Sequence, residues 1–231
     1  MNAPHQAVGP LQQSTDFELG FRLRLAQSAK PKACVILLHG VGGSENDLAP
    51  LAADISPDTL VVLPRGRLEF GTGQFAWFRV AFTASGPRIV ESEAEQSRLT
   101  LARFVEQIQA QHGIEPTKSL IAGFSQGGIM SASVALSAPA LVAGFALLSG
   151  RILPELAPRI AAKHELATLH AFIGHGEYDS KLPVAWAQRA DRLLDDLGVQ
   201  HQTRLYPIDH GISAAMQTDF LAWLEERLST R

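Results

Sequence analysis

The chain has 231 residues, of which 46% are hydrophobic, and its formal net charge at pH 7 is −3. This length is enough for one α/β domain with a sizeable core and is short for two domains. Because no segment is strongly basic, we expect neither nucleic acid nor an anionic membrane surface as a partner. Cys34 is the single cysteine, which excludes an intrachain disulfide and fits a reducing compartment.

The first residues are polar, and they predict a flexible segment over residues 1–14 followed by a single domain over residues 15–231. The start has neither the basic nor the apolar region of a signal peptide. No apolar run reaches the roughly 18 residues of a membrane span. We therefore expect a cytoplasmic protein, monomeric or homodimeric, without stable membrane insertion.

Hydrophobic runs recur along the chain and predict the strands. Residues 17–25 alternate apolar and polar side chains, which is the period of a half-buried strand. The later runs do not alternate, and they predict strands buried on both faces of a parallel sheet. These runs are residues 33–38, 60–63, 119–122, 144–148 and 169–173. A shorter run, residues 203–206, predicts a strand nearer the edge of the sheet.

Helical patterns lie between the predicted strands. Residues 92–112 carry an apolar stripe, and Ser92 and Glu95 have the spacing of a capping box. Further helices are predicted over residues 126–137, over residues 183–197, which begin with a proline, and over residues 213–228. This alternation predicts an α/β fold with a mostly parallel central sheet and helices on both faces.

The segment GFSQGG, residues 123–128, fits the G-x-S-x-G pattern of a nucleophile elbow. It follows a predicted strand and precedes a predicted helix, which is the context that gives the pattern its meaning. Glycines on both sides of Ser125 allow a sharp turn, with the serine at its tip and the backbone N–H of Gln126 directed into the site. We predict Ser125 as a nucleophile rather than a turn serine.

A serine nucleophile needs a base, and the base needs an orienting acid. We predict His210 as the base, because it follows the last strand and precedes the last helix; His175 is the alternative. Asp179 is the predicted acid, with Glu177 in the same loop as the alternative. Asp209 is interpreted as a turn residue, because side chains adjacent in sequence seldom face each other.

A second oxyanion donor is expected from the glycine-rich loop after the second predicted strand, and we predict the backbone N–H of Val41, together with that of Gln126. His39 and His175 both lie at strand ends, but no metal-binding spacing accompanies them, so we expect no metal and no cofactor. His39 is predicted to fix the turn. Cys34 is predicted to be an inert core thiol and is the weaker alternative nucleophile.

Aromatic residues cluster in residues 68–82 without a helical or strand period. This insert either packs on the sheet or forms a lid or wall around the acyl chain of a substrate, and the two roles are compatible. The predicted pocket residues are Phe70, Trp77, Phe78 and Phe82. Nearby, Arg79 and Arg88 are interpreted as solvated surface cations, with reception of an acidic substrate group as the alternative.

Four motifs in combination resemble the phospholipase/carboxylesterase family of α/β-hydrolases, which includes acyl-protein thioesterases and small bacterial esterases. They are LLHGVGG, GFSQGG, GHGEYD and DHG, and the resemblance covers nearly the whole chain from about residue 33. It implies the α/β-hydrolase fold, the triad Ser125, Asp179 and His210, and the oxyanion donors Val41 and Gln126.

The acid loop departs from the family pattern H-G-x-x-D-P-x-V-P. It reads HGEYDSKLP here, so the Asp-Pro step is lost and Lys181 lies near the mouth of the site. These features are closer to bacterial short-chain esterases than to eukaryotic depalmitoylating enzymes.

The sequence therefore predicts a serine hydrolase that cleaves carboxylic esters with small or short-to-medium acyl chains, acting on a small-molecule ester or thioester. One alternative is a thioesterase or lysophospholipase for long-chain acyl substrates, and another is an acyltransferase. A non-catalytic ligand-binding module on the same fold is the alternative from a different class. Such modules usually lack a member of the triad.

Overall fold

The structure is a computed structural model that describes residues 7–83 and 86–229, except for the side chains of residues 82, 83, 86 and 87. The strands are β1 (Phe21–Arg24), β2 (Ala33–Leu38), β3 (Thr59–Pro64), β4 (Leu68–Gly71), β5 (Gln74–Ala76), β6 (Val80–Thr83), β7 (Gly86–Ile89), β8 (Ser119–Phe124), β9 (Gly144–Leu148), β10 (His170–Gly176) and β11 (Gln200–Tyr206). The helices are α1 (Ala49–Asp54), α2 (Glu91–His112), α3 (Gln126–Ser137), α4 (Ala185–Leu197) and α5 (Ala214–Ser229).

The centre of the fold is a seven-stranded sheet in the order β1-β3-β2-β8-β9-β10-β11. β1 runs antiparallel to β3, and every other neighbouring pair in this sheet is parallel. Alternate residues of β2 enter opposite cores: Cys34 and Ile36 lie on one face, and Val35 and Leu37 on the other. Because both faces are covered, the buried strands show no polar alternation, as predicted.

Helices cover both faces of the sheet. The core on one side includes residues of α2, α3 and α4, and the core on the other side includes residues of α1 and α5. Helix α3 is buried along nearly its whole length because it lies between the sheet and α2. This layering confirms the predicted α/β architecture. No helix in the part of the chain that is described is long and apolar enough to cross a membrane.

Several predicted boundaries differ from the structure. Helix α4 begins at Ala185 rather than at residue 183, and β11 begins at Gln200 rather than at residue 203. The strand expected over residues 17–25 is formed only at Phe21–Arg24, because Phe17 turns back and packs edge-on against Phe21 and Phe104. The predicted capping box is wrong. Helix α2 begins at Glu91 after Val90 and has no side-chain cap.

The aromatic insert, residues 68–82, contributes β4, β5 and β6 to two short hairpins, whereas its sequence showed no strand period. β4 pairs with β5, and β6 pairs with β7, both antiparallel. At the other end of the chain, the Gly9 N–H donates to the Leu23 carbonyl, and Gln12 bridges to Phe21. Residues 1–6 lie outside the described part, so the flexibility of residues 1–14 stays a prediction, as do the domain limits.

Candidate active site

Ser125 occupies a strained turn between the end of β8 and the start of α3. Its φ is 53° and its ψ is −114°, a conformation that residues with a Cβ rarely adopt. The flanking glycines make this turn possible. A Cβ on Gly127 would overlap the Leu38 carbonyl group, and a Cβ on Gly123 would overlap the backbone of Gly127. The strain is consistent with a serine held in a fixed position at the carboxyl edge of the sheet.

His210 and Asp179 approach Ser125 from two loops at the same edge of the sheet. Asp179 follows β10, and His210 follows β11. The Ser125 Oγ lies 2.9 Å from His210 Nε2, and His210 Nδ1 lies 2.7 Å from Asp179 Oδ2. These partners require the tautomer in which Nδ1–H donates to the carboxylate and Nε2 accepts the serine proton. The structure thus brings the three predicted side chains into one hydrogen-bonded relay.

The Asp179 carboxylate is held in place by its own loop. Its Oδ1 accepts the backbone N–H groups of Lys181 and Leu182 at 2.9 and 2.7 Å, which leaves Oδ2 for His210. The alternative acid, Glu177, is exposed to solvent. Asp209 lies in the bend after β11, as predicted, and its carboxylate accepts the N–H and hydroxyl of Ser180 in the acid loop.

Two other histidines near the site have structural contacts. His175, the alternative base, is fully buried, and its Nε2–H donates to the Leu182 carbonyl at 2.7 Å. His39 fixes the turn as predicted: Nδ1–H donates to the Gly40 carbonyl, and Nε2 accepts the Gly66 N–H. Burial lowers the pKa of both imidazoles, which favours their neutral forms.

The predicted oxyanion donors lie beside the serine. Gln126 is the first residue of α3, so its N–H has no partner within the helix and lies at the positive end of the helix dipole. The loop that carries Val41 is tied to the first hairpin, since Gly42 N–H donates to the Phe75 carbonyl at 2.9 Å. Val41, Gln126 and Ser125 all line one cavity. Their role as oxyanion donors stays a prediction.

This cavity has a volume of about 250 Å³ and opens beside Ser125 and His210. Its apolar wall is formed by the side chains of Val41, Phe78, Val80, Ile89, Phe124, Ile129 and Leu182. Two cationic side chains, Arg151 and Lys181, also line it.

Part of the insert lines this cavity, and part of it packs in the core; a role around an acyl chain stays a prediction. Phe78 lines the cavity, but Trp77 does not: it is fully buried, and its indole N–H donates to the His39 carbonyl at 2.9 Å. Phe70 is 56% exposed on the first hairpin and does not line the cavity either. The side chain of Phe82 lies outside the described residues.

Three side chains near the site were not anticipated from the sequence. The Gln126 side-chain amide accepts the backbone N–H of Trp77 and donates to the Phe78 carbonyl, both at 2.7 Å, and so fixes the cavity wall to the elbow. Ser149, with a φ of 51°, donates its hydroxyl to the Gly211 carbonyl beside His210. The third of these side chains is Arg151, which lines the cavity. Gln126 lay within a recognised motif, but its side-chain role depends on a segment about 50 residues away.

A model of the phospholipase/carboxylesterase family matches residues 25–227. The chain belongs to the phospholipase/carboxylesterase family. Members of this family are hydrolases of the esterase and thioesterase type, and the fold of the chain is the α/β-hydrolase fold.

Individual family relatives carry different names. The chain is 30% identical over 186 residues to "Acyl-protein thioesterase 1" of Kluyveromyces lactis, covering 75% of this chain and 81% of the relative. It is 24% identical over 236 residues to "Lysophospholipase-like protein 1" of Mus musculus, covering 90% and 92%. The crystal structure of a carboxylesterase from Mesorhizobium loti superimposes with a TM-score of 0.79 and 26% identity, covering 93% of this chain and 98% of that one.

Proposed function

We propose that this phospholipase/carboxylesterase-family chain is a carboxylesterase that cleaves small-molecule esters with short-to-medium acyl chains through an acyl-enzyme on Ser125. The observation that carries the proposal is the relay from Ser125 Oγ to His210 Nε2 at 2.9 Å and from His210 Nδ1 to Asp179 Oδ2 at 2.7 Å. A serine, a base and an orienting carboxylate in this order form the constellation of nucleophilic acyl transfer.

In the proposed mechanism, His210 Nε2 takes the Ser125 proton as the Oγ attacks the ester carbonyl. The N–H groups of Val41 and Gln126 donate to the oxyanion of the tetrahedral intermediate, and each such donor is typically worth about 2.7–4 kcal/mol. The intermediate collapses as His210 protonates the leaving alcohol. Water then gives its proton to His210 and attacks the acyl group, and Ser125 regains its proton as the acid leaves.

The size of the cavity supports a short acyl chain. Its volume of about 250 Å³ lies below the roughly 300–1,000 Å³ typical of sites for drug-sized ligands. Its wall is mostly apolar, which suits a small aliphatic group, whereas a long chain would have to leave the cavity through its mouth.

A long-chain thioesterase or lysophospholipase is the second candidate. The name of the Kluyveromyces lactis relative favours it. So do two exposed apolar side chains near the site, Val41 and Phe70, which are 38% and 56% exposed. A chain leaving the cavity would find apolar surface there.

The test is hydrolysis of p-nitrophenyl esters from acetate to palmitate by the wild type and Ser125→Ala. Ser92→Ala, an exposed position on α2, serves as the matched control. We expect an optimum at short chains, a loss of roughly 10,000-fold or more in kcat for Ser125→Ala, and no loss for Ser92→Ala. An optimum at long chains would favour the second candidate. Equal activity of the wild type and Ser125→Ala would refute both.

A further inference from the structure

Arg151 places a buried cation inside the proposed substrate cavity. It follows β9 closely along the chain, is only 4% exposed, and lines the cavity together with Ser125 and His210. None of the described residues that line this cavity is an aspartate or a glutamate. The guanidinium therefore lies at a site from which water is largely excluded and where its charge is poorly screened.

Within the described residues, the Arg151 side chain has no hydrogen bond and no ion pair. Its Nε is buried without a hydrogen-bond partner. The guanidinium stacks on the Trp186 ring, 4.5 Å from the ring centroid, which fixes its position without using its N–H groups. A buried charge without an ionic partner is costly.

The charge of Glu155 acts on Arg151, but the two side chains form no ion pair within the described residues. Burial lowers the pKa of Arg151, and the charge of Glu155 partly opposes this effect. Arginine stays protonated at neutral pH even so. The site therefore holds a positive charge with unused donors.

The other cations near the insert differ from Arg151. Arg79 is bound to the Glu93 carboxylate and is largely exposed, so it is not free to receive a substrate group. Lys181 is exposed and lines the mouth of the same cavity. It adds a second positive charge on the path to Ser125, which favours the entry of an anion.

We propose that the ester substrate carries a carboxylate, and that Arg151 binds this group inside the cavity while Lys181 attracts it at the mouth. The proposal rests on the esterase function proposed above and narrows its substrate class to small monoesters with a free carboxylate. A planar guanidinium offers paired N–H donors that match the two oxygens of a carboxylate. A carboxylate is also smaller than a sulfonate or a phosphate group, which suits a cavity of about 250 Å³.

The experiment compares charged and neutral esters of matched shape. In one arm, p-nitrophenyl monoesters of succinate, glutarate and adipate are compared with their methyl-capped diesters, so that the charge lies on the acyl side. In the other arm, 3-carboxyphenyl butyrate is compared with phenyl butyrate, so that the charge lies on the alcohol side. Ser125→Ala supplies the uncatalysed background.

The variants are Arg151→Met, Arg151→Lys and Arg189→Met. Arg189 is the matched control, because its guanidinium also stacks on the Trp186 ring, at 4.7 Å, but does not line the cavity. In at least one arm, we expect the wild type to prefer the charged ester. Arg151→Met should lower the charged-to-neutral ratio of kcat/KM by about 10- to 100-fold, as expected for losing a hydrogen-bonded charge pair. Arg151→Lys should retain part of the ratio, and Arg189→Met should leave it unchanged.

Two results would overturn the inference. One is a wild type that hydrolyses the neutral ester as well as or better than the charged ester in both arms. The proposed esterase function would then stand, and only the proposed preference for a substrate carboxylate would be refuted. The other is an equal loss on charged and neutral esters in Arg151→Met, which would make Arg151 structural. If Arg151→Met does not fold, the ratio in Arg151→Lys and competitive inhibition of the wild type by free glutarate decide the question. A wild type inactive on all esters would instead refute the proposed function.

Discussion

Asp179 and Asp209 contact different atoms of the same histidine. Asp179 accepts the imidazole Nδ1–H, whereas Asp209 accepts the backbone N–H of His210 and the donors of Ser180. Substituting each carboxylate in turn therefore distinguishes the orientation of the His210 imidazole from the support of its loop.

We expect Asp179→Asn to lower kcat by about 10,000-fold, because an amide favours the wrong tautomer of the base. Asp209→Asn should cost about tenfold or less, since it weakens loop hydrogen bonds of about 1 kcal/mol each. Steady-state kinetics on a short p-nitrophenyl ester measure both. Equal losses in the two variants would contradict the assignment of Asp179.

Some site residues could be located from the sequence, and others could not. Ser125, Asp179 and His210 could be placed because each follows a strand, and the carboxyl ends of parallel strands meet at one edge of the sheet. Trp77 could not be separated from Phe78 in this way. Adjacent aromatic residues look alike in sequence, whereas one donates to His39 and the other faces the cavity. Arg151 belongs to no recognised motif, so nothing in the sequence indicated its position in the cavity.

At the scale of elements, Glu45 joins the loop after β2 to two neighbouring segments. Its fully buried carboxylate accepts hydrogen bonds from Arg22 of β1 and from Arg65, which follows β3. Burial alone would raise the pKa of Glu45, but the hydrogen bonds of Arg65 and Arg22 outweigh it and lower the pKa to about 2.

Glu45 should therefore stabilise the fold in a pH-dependent way. Because its pKa is lower in the folded than in the unfolded chain, the stabilisation is complete above the unfolded value near 4.5 and is lost as the pH falls toward 2. We expect Glu45→Gln to lower the free energy of unfolding by about 1.5–3 kcal/mol at neutral pH. Urea unfolding should show this difference shrinking across the acid range. A difference independent of pH would show that the ion pairs are not its source.

The sequence predicted the elements that are buried along their whole length. It did not predict elements whose ends depend on contacts with distant segments. The strands of the parallel sheet are hydrophobic throughout, so their positions could be read directly. The start of α2 could not, because it depends on the second hairpin: Val90 N–H donates to the Arg79 carbonyl, and Glu93 binds Arg79. These contacts join the two ends of the second hairpin, which was itself not predicted from the sequence.

At the scale of the whole molecule, the two cores share the strands of one sheet. Trp77 lies in the core with α2, α3 and α4, and Trp223 lies in the core with α1 and α5. A strand such as β2 contributes alternate side chains to both cores, so neither core is expected to survive the loss of the other.

We expect the single predicted domain to unfold as one cooperative unit. Urea transitions followed by tryptophan fluorescence and by far-ultraviolet circular dichroism should coincide, because the fluorophores report on both faces and the dichroism reports on all helices. Two separated transitions would show that residues 15–231 contain more than one folding unit.

The central claim is that Ser125, activated by His210, is the nucleophile. The most direct measurement is intact-mass and peptide mass spectrometry after treatment with a p-nitrophenyl phosphonate, which leaves a stable adduct on an activated serine. The account predicts one phosphonate on the peptide containing Ser125, much slower labelling in His210→Gln, and no labelling in Ser125→Ala. Labelling at another residue, or equal labelling of wild type and Ser125→Ala, would contradict it.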